Sequence, residues 1–394
     1  MSAIYLNQLG IVCALGAGRQ AVAEALFASD APRGVTMSER WTPGRPLALG
    51  TFEQALPDLD SLPLAMRSRN NALLRLALDE IRAEVDRAIA AHGAARVAIV
   101  LGTSTSGIAE GERAHRCFEQ DDHWPEDFHY AQQEMGSPAR FLADVLGTRG
   151  PAHVISTACS SSAKAIASAA RLLNAGLVDA VIAGGADSLC SFTIAGFQSL
   201  EAVSPVRCNP FSVNRRGINI GEGAALFLMT RKPGPVRLAG AGESSDAHHM
   251  SAPDPTGRGA LLAIAQALEH GRVSPHDIDY INLHGTGTVQ NDAMESDAVS
   301  RLFGERTYCS STKPVTGHAL GAAGAIEAAL CWLTLADNPE RRLPPHWWDG
   351  EADPNLRPLH LVDPGQVASR PLRYALSQSF AFGGSNAALL FGAA

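Results

Sequence analysis

One of seven cysteines, two histidines, a lysine, a glutamate and a glycine-rich turn hold most of the sequence's capacity for chemistry. Cys159 lies in Val154-Ile155-Ser156-Thr157-Ala158-Cys159-Ser160-Ser161-Ser162-Ala163-Lys164-Ala165, where a short β-branched run gives way to an Ala-rich helical segment reaching about Asn174 and closed by Gly176. The pattern places the thiol on a strand-to-helix turn. The first N–H groups of a helix have no intrahelical partner and favour an anion. A thiol there is expected to ionise more readily, and the thiolate is the nucleophile. A free cysteine is more often a small buried hydrophobe, so histidines elsewhere in the chain must decide between the two roles.

Two histidines have the setting for that. His284 opens His284-Gly285-Thr286-Gly287-Thr288 directly after the strand-like run Tyr280–Leu283, and ligands and catalytic groups of α/β sheets collect beyond the carboxyl ends of strands. His318 ends Lys313-Pro314-Val315-Thr316-Gly317-His318, at the entrance of a second helix rich in small residues that carries Glu327. A lysine and a glutamate beside a histidine site can hold each other ionised and fix the local field. Elsewhere such a pair is a solvated ion pair, and a histidine in such a position is a capping or core residue. Finally, Phe380-Ala381-Phe382-Gly383-Gly384-Ser385-Asn386 is a turn whose N–H groups could face a developing oxyanion.

The elements that position these groups read as a duplicated α/β unit. An opening strand over residues 3–14 is followed by a Pro-containing stretch, a helix from Arg67-Ser68-Arg69-Asn70-Asn71 to about residue 91, and the buried strand Val97–Gly102. The cysteine turn and its helix come next, then strands at 180–185 and 224–229. Lys232-Pro233-Gly234-Pro235 breaks the chain, and the order repeats: Val236–Gly240 answers the first strand, Tyr280–Leu283 the second, and Thr307–Ser310 with the His318 helix answers the cysteine turn. Tyr374–Phe380 and Ala387–Phe391 answer the strands after residue 180. The expected division is 1–234, carrying Cys159, and 235–394, carrying His284, Lys313 and His318. Small residues let helices approach closely, so the two Ala- and Gly-rich helices are expected to pack together and bring Cys159 to His318.

Composition narrows the function. In 394 residues, 46% apolar and 18% charged, a large core and no long disordered segment are expected. A net charge of −8 without a basic run argues against general nucleic-acid binding and against attraction to anionic membranes. The cysteines are odd in number, scattered and lack a C-x-x-C pair, which fits free thiols in a reducing compartment and no structural metal site. The start Met1-Ser2-Ala3-Ile4-Tyr5-Leu6 lacks a basic region before an apolar run, so a cytoplasmic protein is expected. No dinucleotide fingerprint or phosphate loop is present, and Gly102-Thr103-Ser104-Thr105-Ser106-Gly107 has the wrong spacing for a serine nucleophile elbow.

Taken together, Thr157–Ser162, His284–Thr288, Lys313–His318 with Gly321-Ala322-Ala323-Gly324-Ala325-Ile326-Glu327-Ala328, and Phe382–Asn386 resemble the elongating β-ketoacyl-acyl-carrier-protein synthases, members of the thiolase-like fold. Pro210-Phe211-Ser212 through Gly221-Glu222-Gly223 and Ser244–Met250 also look like family segments, so the resemblance runs through essentially the whole chain. It implies a five-layer α-β-α-β-α sandwich. It also implies that Cys159 takes an acyl chain as a thioester, that His284 and His318 promote decarboxylation of a malonyl thioester, and that N–H groups of Cys159 and Phe382 hold the oxyanion. Lys313, paired with Glu327, would organise the histidines, and Phe382 would gate entry of the second substrate. The implied partners are an acyl carrier protein, whose phosphopantetheine bears the substrates, and a second copy or a chain-length-factor-like homologue. No coenzyme or metal is implied.

Carriers are typically acidic, and Arg67, Arg69 and Arg207 occupy positions where the family often has basic residues. Arg67–Asn71, Gly102–Gly107 and Gly217–Glu222 look like the branch that builds aryl-polyene pigments, more than like housekeeping fatty-acid synthases. Two positions depart from the usual pattern: Ala381 stands where glycine is common before the gating phenylalanine, and Thr286-Gly287-Thr288 replaces a more usual Ser- or Ala-containing run. A non-catalytic chain-length-factor-type subunit would keep the fold but lose the nucleophile. A degradative thiolase would carry a second cysteine where this chain has Phe382-Gly383-Gly384-Ser385.

Overall fold

The computed structural model describes residues 3–336 and 338–394. Its main sheet is twelve-stranded. Eleven of the strands follow one continuous path: β1 (Ile4–Cys13), β2 (Val97–Gly102), β3 (Ala152–Ile155), β4 (Ala180–Asp187), β5 (Gly223–Thr230), β6 (Val236–Ser245), β7 (Tyr280–Asn282), β8 (Tyr308–Ser310), β9 (His360–Leu361), β10 (Tyr374–Ala381) and β11 (Ser385–Ala393). Their spatial order is β9-β8-β7-β10-β11-β6-β1-β5-β4-β2-β3. Leaving out β9, each side of the β6–β1 junction repeats the other. β1 and β6 pair antiparallel with β5 and β11, these pair antiparallel with β4 and β10, and two parallel neighbours follow outward. The sides meet through Ile4–Leu6 of β1 and Val236–Leu238 of β6.

Strand alternation sorts the core into layers. Val97, Ile99 and Leu101 of β2 face an outer cluster with the helices Arg69–Asp79 and Ser137–Leu146, whereas Ala98 and Val100 face the middle. In the second half Ile281 and Leu376 face the outer helices Arg258–Gly271 and Val289–Phe303, and Ala375 and Ala387 face the middle. The middle layer is the helix pair Ser161–Asn174 and Ala323–Ala336. This is the five-layer arrangement read from the sequence resemblance. The expected helix to residue 91 is instead two helices, Arg69–Asp79 and Arg82–His92, because the chain leaves helical dihedrals at the buried Ile81 (φ −119°, ψ 5°).

Close approach of backbones sets the middle layer. A Cβ on Gly324 would lie 2.8 Å from the N and Cβ atoms of Ala163, and one on Gly102 would lie 2.2 Å from the Ser162 N. The Ala325 N–H donates to Ser162 Oγ at 2.8 Å, joining the first turns of the two central helices. Both helices therefore begin at one place, beyond the ends of the parallel strands. Among the described residues no helix is long and apolar enough to cross a membrane.

Candidate active site

Cys159 and His318 meet where those helices begin. The turn before the first helix carries Ala158 at φ 52°, and the turn before the second carries Leu320 at φ 47°. The left-handed region costs a non-glycine residue about 1–2 kcal/mol, so local hydrogen bonds must hold each turn. Ser161 Oγ donates to the Ala158 carbonyl at 2.5 Å and accepts from the Thr157 N–H at 2.8 Å. The His318 N–H donates to the Asn219 carbonyl at 2.6 Å, and the Gly321 N–H donates to the fully buried Asp187 carboxylate at 2.6 Å.

These turns place His318 Nε2 2.9 Å from Cys159 Sγ. The His284 ring stands 5.5 Å from that of His318, at 84° to it. Lys313 Nζ lies 3.5 Å from His284 Nδ1 and binds Glu327 Oε1. An ammonium has no lone pair, so Nδ1 of His284 is the acceptor and the ring proton sits on Nε2. Nδ1 of His318 has no hydrogen-bond partner among the described residues, so no contact fixes which nitrogen of that ring carries the proton.

Burial governs the charges. It holds both imidazoles well below the usual histidine range, with the Lys313 cation adding to the effect. It also raises the Glu327 carboxyl, against which Lys313 acts. The Cys159 thiol is pushed up to about 12 by burial, opposed by Lys313 and by a hydrogen bond from the Phe382 backbone. Burial thus acts against the ready thiolate expected from the helix terminus and favours a thiol beside a neutral base. The Phe382 N–H and the N–H of Cys159 itself both bear on Sγ. The three donor atoms of Cys159, His284 and His318 lie within 4.8 Å of one another, a grouping that could ligate a thiophilic cation. The ammonium beside His284 opposes further positive charge there.

The group lines a cavity of about 260 Å³, together with Phe197, Leu200, Phe380, Phe382, Thr286 and Thr288. Phe382 stacks on Phe197 with centroids 5.5 Å apart. Ala381, the departure noted in the sequence, has extended dihedrals (φ −101°, ψ 157°) that any residue adopts, so alanine fits this conformation without strain.

Sequence reasoning missed two carboxylates that shape the histidine turn. Glu295 accepts from the N–H groups of His284 (2.6 Å) and Gly285 (2.7 Å), and Asp292 from those of Gly287 (3.1 Å) and Phe211 (2.8 Å). Burial raises them to about 7 and about 6. Their signal was available as acidic residues in the helix directly after His284–Thr288.

The three arginines assigned to a carrier contact differ in placement. Arg69 is turned inward, its guanidinium on the fully buried Glu222 carboxylate at 2.6 and 2.8 Å and on the Phe52 carbonyl. Arg207 donates to the backbone carbonyls of Arg33, Val35 and Pro314. Both guanidinium groups bond acceptors of their own chain and tie loops together. Arg67 holds the carbonyls of Leu62 and Asp60 while its side chain stays 37% exposed.

A thiol, two imidazoles and inward N–H groups on a duplicated five-layer α/β scaffold define an acyl-transferring condensing enzyme. Residues 60–233 match the family described as beta-ketoacyl synthase, N-terminal domain, and residues 236–346 match beta-ketoacyl synthase, C-terminal domain. The chain belongs to the β-ketoacyl synthase family. Nodulation protein E of Rhizobium meliloti (strain 1021) is 33% identical over 358 residues, 87% of each chain. The 3-oxoacyl-[acyl-carrier-protein] synthase 2 of Staphylococcus aureus is 32% identical over 316 residues, 75% of this chain and 77% of that protein. Among solved structures, a chain of the complex between a ketosynthase and its chain length factor from Xenorhabdus doucetiae is 47% identical, with a TM-score of 0.94 and coverage of 100% of this chain and 98% of the other.

Proposed function

We propose that the protein lengthens an acyl chain by condensing an acyl group held on Cys159 with a malonyl unit presented on an acyl carrier protein. The observation that carries this reading is the convergence of Sγ, two neutral imidazoles and the Phe382 N–H on one cavity. Sγ attacks the carbonyl of an acyl thioester as its proton passes to His318 Nε2, and the oxyanion is held by the N–H groups of Cys159 and Phe382. Collapse expels the carrier's thiolate, which takes up that proton.

In the second half the malonyl carbon–carbon bond to the carboxylate breaks, CO2 leaves, and the enolate oxygen accepts hydrogen bonds from the Nε2–H groups of His284 and His318. The unpartnered Nδ1 of His318 lets that ring carry its proton on either nitrogen, as the two halves require. The carbanion then attacks the acyl-Cys159 carbonyl, the new carbon–carbon bond forms, and Sγ leaves as a thiolate that takes up one proton from solvent, relayed by His318. Lys313 and Glu327 set the tautomer and neutrality of His284, and Phe382, half-buried on Phe197, gates the cavity. These steps use side chains, backbone N–H groups and the substrate's phosphopantetheine, and call on no coenzyme or metal.

Partner and pathway are part of the same proposal. β3 ends the sheet with one edge unpaired, which suits pairing with the matching strand of a second subunit, as a homodimer or with a chain-length-factor-like homologue. The ketosynthase solved with its chain length factor supports the second form. The resemblance of Arg67–Asn71 and Gly217–Glu222 to the aryl-polyene branch favours aryl-polyene over fatty-acid or polyketide synthesis. Arg67, whose side chain is 37% exposed, is the first candidate of the three arginines for contact with an acidic carrier. The test is reconstitution with acyl-carrier and malonyl-carrier, with and without a chain-length-factor-like subunit. CO2 release with a carrier-bound 3-oxoacyl product two carbons longer supports the proposal; hydrolysis alone, with the partner present, refutes it.

A further inference from the structure

The two halves of the oxyanion site come from turns far apart in the chain, one at Cys159 and one at Phe382. Their N–H groups must keep register, since donors act on a developing oxyanion only within about 2.7–3.1 Å. The structure shows what holds them together. Ser160 Oγ, next to the nucleophile, lies 2.9 Å from Ser385 Oγ, three residues beyond Phe382. Ser160 Oγ also reaches Thr157 Oγ1 at 3.0 Å and donates to the Thr157 carbonyl at 2.8 Å, which anchors that end in the nucleophile turn. At the other end Lys164 Nζ donates to Ser385 Oγ at 2.7 Å.

Lys164 has no part in the chemistry above. A lysine on the open side of a helix normally extends its ammonium into water. This one is half-buried on the Ser385 hydroxyl, and burial pulls it below the usual lysine value while Glu243 acts in the opposite sense and Arg171 in the same. A group that gives up solvation to make one hydrogen bond is fixed in place by it. We propose that Lys164 is a positioning residue that, through Ser385 and Ser160, staples the Phe382 turn to the Cys159 turn and so keeps the two oxyanion donors in register.

The proposal rests on the condensing-enzyme reading, and its test separates the two. Single-turnover acylation of Cys159 by an acyl-carrier thioester develops an oxyanion; alkylation of the same thiol by iodoacetamide does not. Losing one oxyanion donor costs about 100- to 1,000-fold, so a misaligned donor in Lys164→Met and Ser385→Ala is expected to slow saturated acylation by roughly 10- to 100-fold with the donor KM within about 2-fold. Alkylation should stay within about 2-fold of wild type, and Lys164→Arg should recover most of the acylation rate. Equal loss of acylation and alkylation would place the defect in the nucleophile itself and overturn the staple, as would no loss in either variant. Failure of the wild type to be acylated at all would instead count against the condensing reading.

Discussion

His318 Nε2 lies 2.9 Å from Cys159 Sγ although 159 residues separate them, and each stands at the entrance of one of two equivalent central helices. The contact exists because those helices touch backbone to backbone at Gly324 and Ala163. His284 reaches the same point from the end of β7, without touching Sγ within hydrogen-bond distance.

That difference separates the roles of the two rings. His284→Ala should leave acylation of Cys159 within about 10-fold of wild type and lower malonyl decarboxylation by about 100-fold or more, the scale of one lost electrostatic donor. His318→Ala should lower both. Single-turnover acylation and CO2 release, measured on the same preparations, check this; equal defects in the two variants would contradict it.

The Lys313–Glu327 pair is fully buried, and breaking such a pair leaves an uncompensated charge at a cost of about 3–5 kcal/mol. Lys313→Ala is therefore expected to lower unfolding stability by that order in chemical denaturation. Lys313→Ala with Glu327→Gln should be more stable than Lys313→Ala alone, yet remain inactive in condensation because nothing then fixes the His284 proton on Nε2.

Acid should act on stability through the same rings. Both histidines are held well below the usual value of 6.5, so above pH 6.5 they are neutral folded and unfolded. Below it the unfolded chain binds protons that the folded one refuses, and stability falls with pH by about 1.4 kcal/mol per unit for each ring. Buried Glu295, raised to about 7, works in the opposite sense over part of this range, so the measurement is a difference. Denaturation of wild type and His318→Asn from pH 6.5 to 5 should show the gap moving in favour of the variant by about that slope.

Much of this was legible because it follows from local pattern. Continuous apolar runs marked β2 and β4, the β-branched run into small residues marked the cysteine turn, and repetition of that order marked the equivalent entrance at His318. What escaped depends on where a long side chain ends or on how much water is lost. Arg69 and Arg207 have the same sequence signature as surface arginines, but their guanidinium groups close on Glu222 and on three carbonyls. The helix terminus suggests a thiolate at Cys159, whereas the burial that acts the other way depends on the packing around it. In sequence Lys164 is one more residue of an Ala-rich helix; its contact with Ser385, 221 residues away, depends on the fold.

The close contact at the middle layer gives a further test. Gly324→Ala would drive a Cβ to 2.8 Å from backbone and side chain of Ala163, and overpacking of this kind costs about 1–3 kcal/mol. Because the displaced helix begins near His318, the acylation rate should fall along with the melting temperature. A variant that loses stability but keeps its rate would show that the helix pair can shift without moving Cys159 from His318.

The most direct measurement is intact-mass analysis of wild type and Cys159→Ala after incubation with a short saturated acyl-carrier and, separately, an aryl- or polyene-acyl-carrier, with a chain-length-factor-like subunit present. The account expects one acyl adduct on the wild type, formed with the aryl or polyene donor, and none on Cys159→Ala. An adduct that persists in Cys159→Ala, or its absence from the wild type with both donors, would contradict the assignment of Cys159 as the nucleophile.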